Sequence, residues 1–308
     1  MRKFLIDTDT ASDDAVAILM ALRTREVEVE AITIVAGNVG VDQGAKNALN
    51  TVELCGATTS VYKGLAKPLL REHVDARFFH GEDGMGGLNL PPPQLEPQPK
   101  GAVDAIIETI HSVPGEITLV TLGPLSNIAA ALLKEPTIAS EVKEAYVMGG
   151  AANVLGNITP SAEYNIWCDP EAAKIVFHSG MPILVVGWEH CLGDCLLSEE
   201  DMESMRALKT SYADFALDCN RDALKVSREW LGLSGLPQPD PVAMAIALDR
   251  EVCTHAEPKY VDVETTSELT RGETVVDRLG VLNKEPNIEV CFAVDAGKFK
   301  SLLFSVLE

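Results

Sequence analysis

The sequence predicts an α/β fold in one domain spanning residues 1–308: an open, mostly parallel sheet with helices on both faces. Three observations carry this expectation. Short β-branched runs alternate with stretches of helical periodicity over the first two thirds of the chain. Polar clusters fall just after those runs, where the loops of a parallel sheet converge. The composition, 46% hydrophobic and 23% charged over 308 residues, is that of a folded chain able to bury a sizeable core.

Taken in order, KFLI (3–6) reads as a strand and DAVAILMALR (14–23) as the helix returning from it. AITIVAG (31–37) and DQGAKNALNTVELCG (42–56) repeat the pattern, as do ITLVT (117–121) and LSNIAAALL (125–133). AYVMGG (145–150), DPEAAKIVF (169–177) and PILVVG (182–187) continue it. Parallel neighbours need such crossovers, because a short turn cannot bring the chain back in the same direction. Residues 88–100, which include NLPPPQLEPQPK, read as an extended surface connection. Residues 198–231 read as mostly helical, and 261–279 with NIEVCFAV (287–294) as a C-terminal strand pair. DTDTASDD (7–14), Gly37-Asn38, LGPLSN (122–127) and MGG (148–150) each follow a strand and should open onto one rim.

The net charge of −21 repels phosphates and anionic lipid, which argues against nucleic-acid or membrane partners and for a small neutral or cationic ligand. The first apolar stretch is broken at Asp7, so it is no signal-peptide core, and no run approaches a membrane span. A cytoplasmic protein is expected. Its 7 cysteines are scattered without a CxxC spacing, which suits buried reduced thiols.

Asp7, Asp9, Asp13 and Asp14 crowd the end of the first strand. Helix capping accounts for two of them, with Asp13 as N-cap and Asp14 in the first turn. In an extended stretch Asp7 and Asp9 share a side, and the turn folds Asp13 and Asp14 back towards it. Carboxylates so close repel unless a cation or shared protons compensate, and a hard divalent ion with oxygen ligands, Ca²⁺ or Mg²⁺, is the natural compensation. A strand followed by DxDx also opens Mg²⁺-dependent phosphatases of the haloacid-dehalogenase type, in which the first Asp attacks phosphorus. Ala11 stands where that pattern wants Thr or Val.

DTDTASDDAVAILMAL resembles the DxDxxxDDxxA signature of the nucleoside hydrolases, the calcium-dependent N-ribohydrolases of the inosine-uridine type. The resemblance continues through VAGNV around Asn38, HGEDGMGG from His80, TLGPLSNIAAAL from Thr121, VMGGAANVLGNITPSAEYNIWCDPEAA from Val147 and DPVAMAIALD from Asp240. It implies a Rossmann-like open sheet and hydrolysis of the N-glycosidic bond of ribonucleosides. It further implies Ca²⁺ held by Asp9, Asp14, Asp240 and the Leu122 carbonyl, with water and two ribose hydroxyls completing the shell. Asp9 becomes the general base for the bound water. Asp13 takes the ribose hydroxyls, with Asn38 and Met148 beside the sugar, and Asp7 supports the loop from behind. Asn157, Glu163 and Asn165 form a clamp on the 5′- and 3′-hydroxyls; two positions apart, Glu163 and Asn165 face one way if their segment is extended. The resemblance implies a homodimer or homotetramer.

Local sequence reads Asp169-Pro170-Glu171 as a plain helix start, and Asp240-Pro241 as an N-cap compatible with ligation. Pro239 departs from the family, whose members carry at that position a histidine proposed to protonate the departing base. His80 is the first replacement donor and His190 the second. Trp188 and Trp230 are candidates for stacking on the base, with core packing the simpler account of Trp188. Pro239 also leaves open a nucleoside-binding protein that has lost catalysis.

Overall fold

From Phe4 to Thr8 every residue of β1 (Arg2–Thr8) is buried, as in a strand covered on both faces. The computed structural model describes residues 1–308. After β1 come β2 (Val27–Ile34), β3 (Val61–Lys63), β4 (Ile117–Thr121), β5 (Glu144–Met148), β6 (Ile183–Val186), β7 (Cys253–Lys259), β8 (Val261–Val263), β9 (Thr274–Val276) and β10 (Ile288–Val294). Eight of these form the main sheet in the order β3-β2-β1-β4-β5-β6-β10-β7, parallel except for β7. The winding reverses between β1 and β4, so a crevice opens beyond their carboxyl ends.

Helices cover both faces, as the alternation predicts. On one lie α1 (Ser12–Arg23), α2 (Val41–Leu54) and the helices Pro239–Leu248 and Ala296–Leu307. The other carries Ala102–Ser112, Ser126–Lys134 and Pro170–Phe177. α1 is buried from Ser12 to Ala21 because it lies on the sheet with Pro239–Leu248 beside it on the same face and α2 on its other flank. α1 and Pro239–Leu248 are both rich in alanine, which lets them approach closely. This packing brings Asp13, Asp14 and Asp240 together.

Residues 88–100 contain no helix or strand; Gln98 makes one bridge to Tyr62, and Leu88, Leu90 and Leu95 pack on the core. Helices Glu199–Ala207, Ser211–Asp218 and Arg221–Glu229 fill the stretch expected to be helical. The C-terminal strand pair is corrected. β8 pairs with β9 in a small sheet of its own, whereas β10, with Ile288, Val290 and Cys291 buried, enters the main sheet between β6 and β7. β7 escaped the sequence reading because it is an edge strand, CTHAEPK, with few apolar positions and a proline. No helix is long and apolar enough to cross a membrane.

Candidate active site

Beyond the ends of β1, β4 and β5 lies a cleft of about 880 Å³. The buried Asp13, Leu122, Met148, Asp240, Glu163, Asn165 and Asn38 line its interior together with Asn157, and the exposed Phe78 and Trp230 its mouth. No lysine or arginine lines it.

The aspartates divide by depth. Asp7, at the end of β1, is fully buried; its Oδ1 accepts hydrogen bonds from Thr33 Oγ1 at 2.5 Å and Asn127 Nδ2 at 2.8 Å. Burial pushes it up to about 7. Asp7 thus ties β1 to β2 and to the helix Ser126–Lys134, and its side chain bonds no group of the 9–14 loop it was expected to support. So enclosed a carboxylate has no access to a phosphate, and the phosphatase reading loses its nucleophile. Asp9 follows, wedged where a Cβ on Gly37 would lie 2.0 Å from Asp9 Oδ2 and one on Gly123 2.7 Å from Asp9 Oδ1. Its Oδ2 accepts from the Asn38 N–H at 2.5 Å, and its carboxyl lies close enough to Asp14 to share a proton.

The N-terminus of α1 corrects the capping expectation. Ala11 occupies the N-cap, and Asp14, three residues on, accepts from the Ala11 N–H at 2.9 Å and from Thr8 Oγ1 at 2.5 Å. Asp13 lies in the first turn, free to face the cleft. Asp240 likewise is no N-cap: Gln238 holds that position, Pro239 starts the helix, and Asp240 sits in its first turn. Proline suits that position, where a backbone N–H has no helical partner.

Asp13, Asp14 and Asp240 each offer a ligand oxygen within 4.8 Å of the others. Asp9 stands outside this trio, one step behind Asp14. Burial first, and mutual repulsion second, raise Asp9, Asp13 and Asp240, with Asp13 at about 8. Burial also raises Asp14, against the hydrogen bonds it accepts. Asp9 Oδ1 and Asp13 Oδ1 are buried without a hydrogen-bond partner. Orphaned carboxylate oxygens, an all-oxygen donor set and the absence of lysine and arginine from the lining fit a hard divalent cation. The Leu122 carbonyl accepts from Asn165 Nδ2 at 2.8 Å and keeps a second lone pair.

Glu163 is extended, but the segment does not stay so, and Asn165 departs from the geometry expected of the pair. Glu163 is the N-cap of the short helix Tyr164–Cys168, accepting from the Asn165 and Ile166 N–H groups, and Asn165 lies inside that helix. Both still line the cleft. Burial pushes Glu163 up to about 7. Asn157 Oδ1 caps the Tyr164 N–H at 2.9 Å, which orients its amide.

His80 lines the cleft, with Nδ1 at 2.7 Å from Ser12 Oγ and 3.8 Å from Asp13 Oδ1. Burial pushes it down to about 3, so the ring is neutral at neutral pH. His190 is corrected: it turns away from the rim and bonds the Cys291 carbonyl through Nε2 at 3.0 Å. Trp188 is buried, its indole N–H on the Leu155 carbonyl, with one edge in the cleft. Trp230 is 68% exposed and stacks on Phe78, ring centroids 5.6 Å apart. Asp169 caps Pro170–Phe177 as expected. Sequence reasoning passed over Ser12 and Phe78, and placed Gly37 and Gly123 on the rim without foreseeing that Asp9 packs against them. The two glycines gave a signal of a kind, each standing one or two residues past a predicted strand.

Residues 4–301 match the family described as inosine-uridine preferring nucleoside hydrolase. The chain is 36% identical over 302 residues, 98% of its own length and 96% of the relative's, to the pyrimidine-specific ribonucleoside hydrolase RihB of Escherichia coli K12. Among solved structures it resembles the plant nucleoside hydrolase PpNRh1, with a TM-score of 0.94 and 32% identity over 99% of this chain and 98% of that one. It also resembles the purine-preferring ribonucleoside hydrolase of Gardnerella vaginalis, with a TM-score of 0.91 and 32% identity over 99% of each chain.

Proposed function

Because the chain belongs to the inosine-uridine preferring nucleoside hydrolase family and is an N-ribohydrolase, we propose that its cleft binds a ribonucleoside sugar-down over a Ca²⁺ site and splits the glycosidic bond there. The observation that carries this reading is the buried carboxylate group at the base of the cleft, with Asp13 and Asp240 lining it, Asp14 and Asp9 packed behind them, orphaned oxygens on Asp9 and Asp13, and no lysine or arginine in the lining to balance them. Asp9, Asp14, Asp240 and the Leu122 carbonyl would hold the ion. When bound, it supplies the missing positive charge and acidifies water at the site.

The chain's own groups do the rest. Asp9, fixed by the Asn38 N–H, takes the proton of the attacking water. Asp13 accepts from the ribose hydroxyls. Glu163, Asn165 and Asn157 grip the far side of the sugar, with Asn38 and Met148 closing round it. The departing base lies towards the mouth, where Trp230 on Phe78 offers an aromatic face. His80 faces the same space. With Ser12 donating to Nδ1, its Nε2–H becomes a hydrogen-bond donor to the leaving group without a charged ring.

The test is a panel of purine and pyrimidine ribonucleosides incubated with the calcium-loaded protein and scored for free base and ribose. Release from at least one is expected, with p-nitrophenyl phosphate left intact. No free base from any ribonucleoside overturns the reading, and so does binding without cleavage, the outcome that the missing histidine at Pro239 would favour.

A further inference from the structure

We propose that Cys253 and Cys291 form a redox-active dithiol, which hydrogen peroxide converts to an intrachain disulfide tying edge strand β7 to β10. The two Sγ atoms lie 3.2 Å apart. That is about an ångström more than the roughly 2.0 Å of a formed bond, a gap that side-chain rotation can close.

The sheet brings them together through a local irregularity. Cys253 pairs with Val294 and Ala256 with Cys291, while His255 pairs with Ala293. Thr254 on β7 and Phe292 on β10 are therefore each an extra residue, and the two bulges turn the thiols towards each other. Cys291 is fully buried, whereas Cys253, at the start of β7, keeps 8% of its surface. A small oxidant meets Cys253 first.

Chemistry follows the same asymmetry. The Cys291 thiol, and after it the Arg250 guanidinium, hold Cys253 down at about 6, so it is largely thiolate at neutral pH and nucleophilic. Burial pushes the thiols of Cys55, Cys168, Cys191, Cys195 and Cys219 up instead. The Cys253 thiolate attacks one oxygen of the peroxide, gives a sulfenic acid and releases hydroxide, which leaves as water with a proton from solvent. Cys291 then attacks the Cys253 sulfur; the S–O bond breaks, and the thiol proton leaves with the hydroxyl as a second water. Two thiols and one peroxide become one disulfide and two waters. While Cys253 is a thiolate, their shared hydrogen bond keeps the Cys291 proton in place. Sulfenylation removes that restraint.

The full chain is treated with stoichiometric peroxide, alkylated, digested and mapped by mass spectrometry. The expected product is a peptide pair joined through Cys253 and Cys291, two hydrogens lighter than the reduced pair and lost on reduction. In Cys291→Ser, dimedone should trap a sulfenic acid at Cys253, severalfold more than in the unaltered chain. Recovery of both residues as alkylated thiols or as sulfinic acids, or a cross-link to another cysteine, overturns the proposal. The mapping needs only the unaltered protein, so a variant that misfolds leaves the test intact.

Discussion

At the scale of single residues, the site works by withholding partners. A buried carboxylate ordinarily finds a donor for each oxygen. Here Asp9 and Asp13 each leave one unmet, and His80 is kept neutral beside Asp13. Asp14→Asn and Asp240→Asn should each weaken Ca²⁺ binding, measured by titration calorimetry, by more than the about 10–100-fold typical of an outer-shell partner. Unchanged affinity in either would remove that residue from the ligand set. His80→Ala, which removes a neutral hydrogen-bond donor to the leaving group, should lower kcat by about 10²–10³-fold on ribonucleosides with poor leaving groups. It should cost much less on p-nitrophenyl riboside, whose leaving group needs no proton; equal losses on both would make His80 a positioning residue. The aspartates were legible in the sequence because their crowding is local. His190 was misjudged because following a strand says which end of the sheet a residue occupies, and not which way its ring turns.

At the scale of elements, the site is made where the ends of β1, β4 and β5 meet α1 and the helices Tyr164–Cys168 and Pro239–Leu248 at the reversal of the sheet. Strand–helix alternation announced β1, β2, β4, β5 and β6 with their crossovers, since each carries its own apolar period. β3, β7 and the course of β10 were not legible, because a short or edge strand is held by its neighbour's hydrogen bonds more than by its own pattern. Nor was the helical setting of Glu163 and Asn165, which a five-residue helix hides from any periodicity. The close approach behind Asp9 was equally hidden: Gly37 ends the run after β2 and Gly123 the one after β4, and their missing side chains make the space that Asp9 fills. Gly37→Ala should push the Asp9 carboxylate out of line, lowering kcat by about a hundredfold or more while the far-ultraviolet circular dichroism stays unchanged. Wild-type turnover in that variant would show that Asp9 has room to move without loss.

At the scale of the whole molecule, a chain of net charge −21 buries a knot of its carboxylates in its centre, and its stability must answer to both pH and cation. Asp7 and Glu163 at about 7 and Asp13 at about 8 lie above the usual carboxylate range. Groups raised in the folded state favour folding while protonated, and that contribution fades as pH rises through 7 and 8. The calcium-free protein should therefore melt at a lower temperature at pH 9 than at pH 7, by on the order of a few degrees. Added Ca²⁺ should narrow the difference, as scanning calorimetry can record. His80 stays out of this window, since its folded and unfolded forms are both neutral above pH 7. A calcium-free protein equally stable at both pH values would mean that the carboxylates find compensation within the chain.

The central claim is that the carboxylates at the base of the cleft hold a cation and, through it and Asp13, the ribose hydroxyls. The most direct measurement compares release of free base from a ribonucleoside and from its 2′-deoxy counterpart, with calcium-loaded protein and again after chelation. The account predicts turnover of the ribonucleoside alone, lost on chelation and restored by Ca²⁺. Comparable cleavage of the deoxynucleoside, or full activity in the chelated protein, would contradict it.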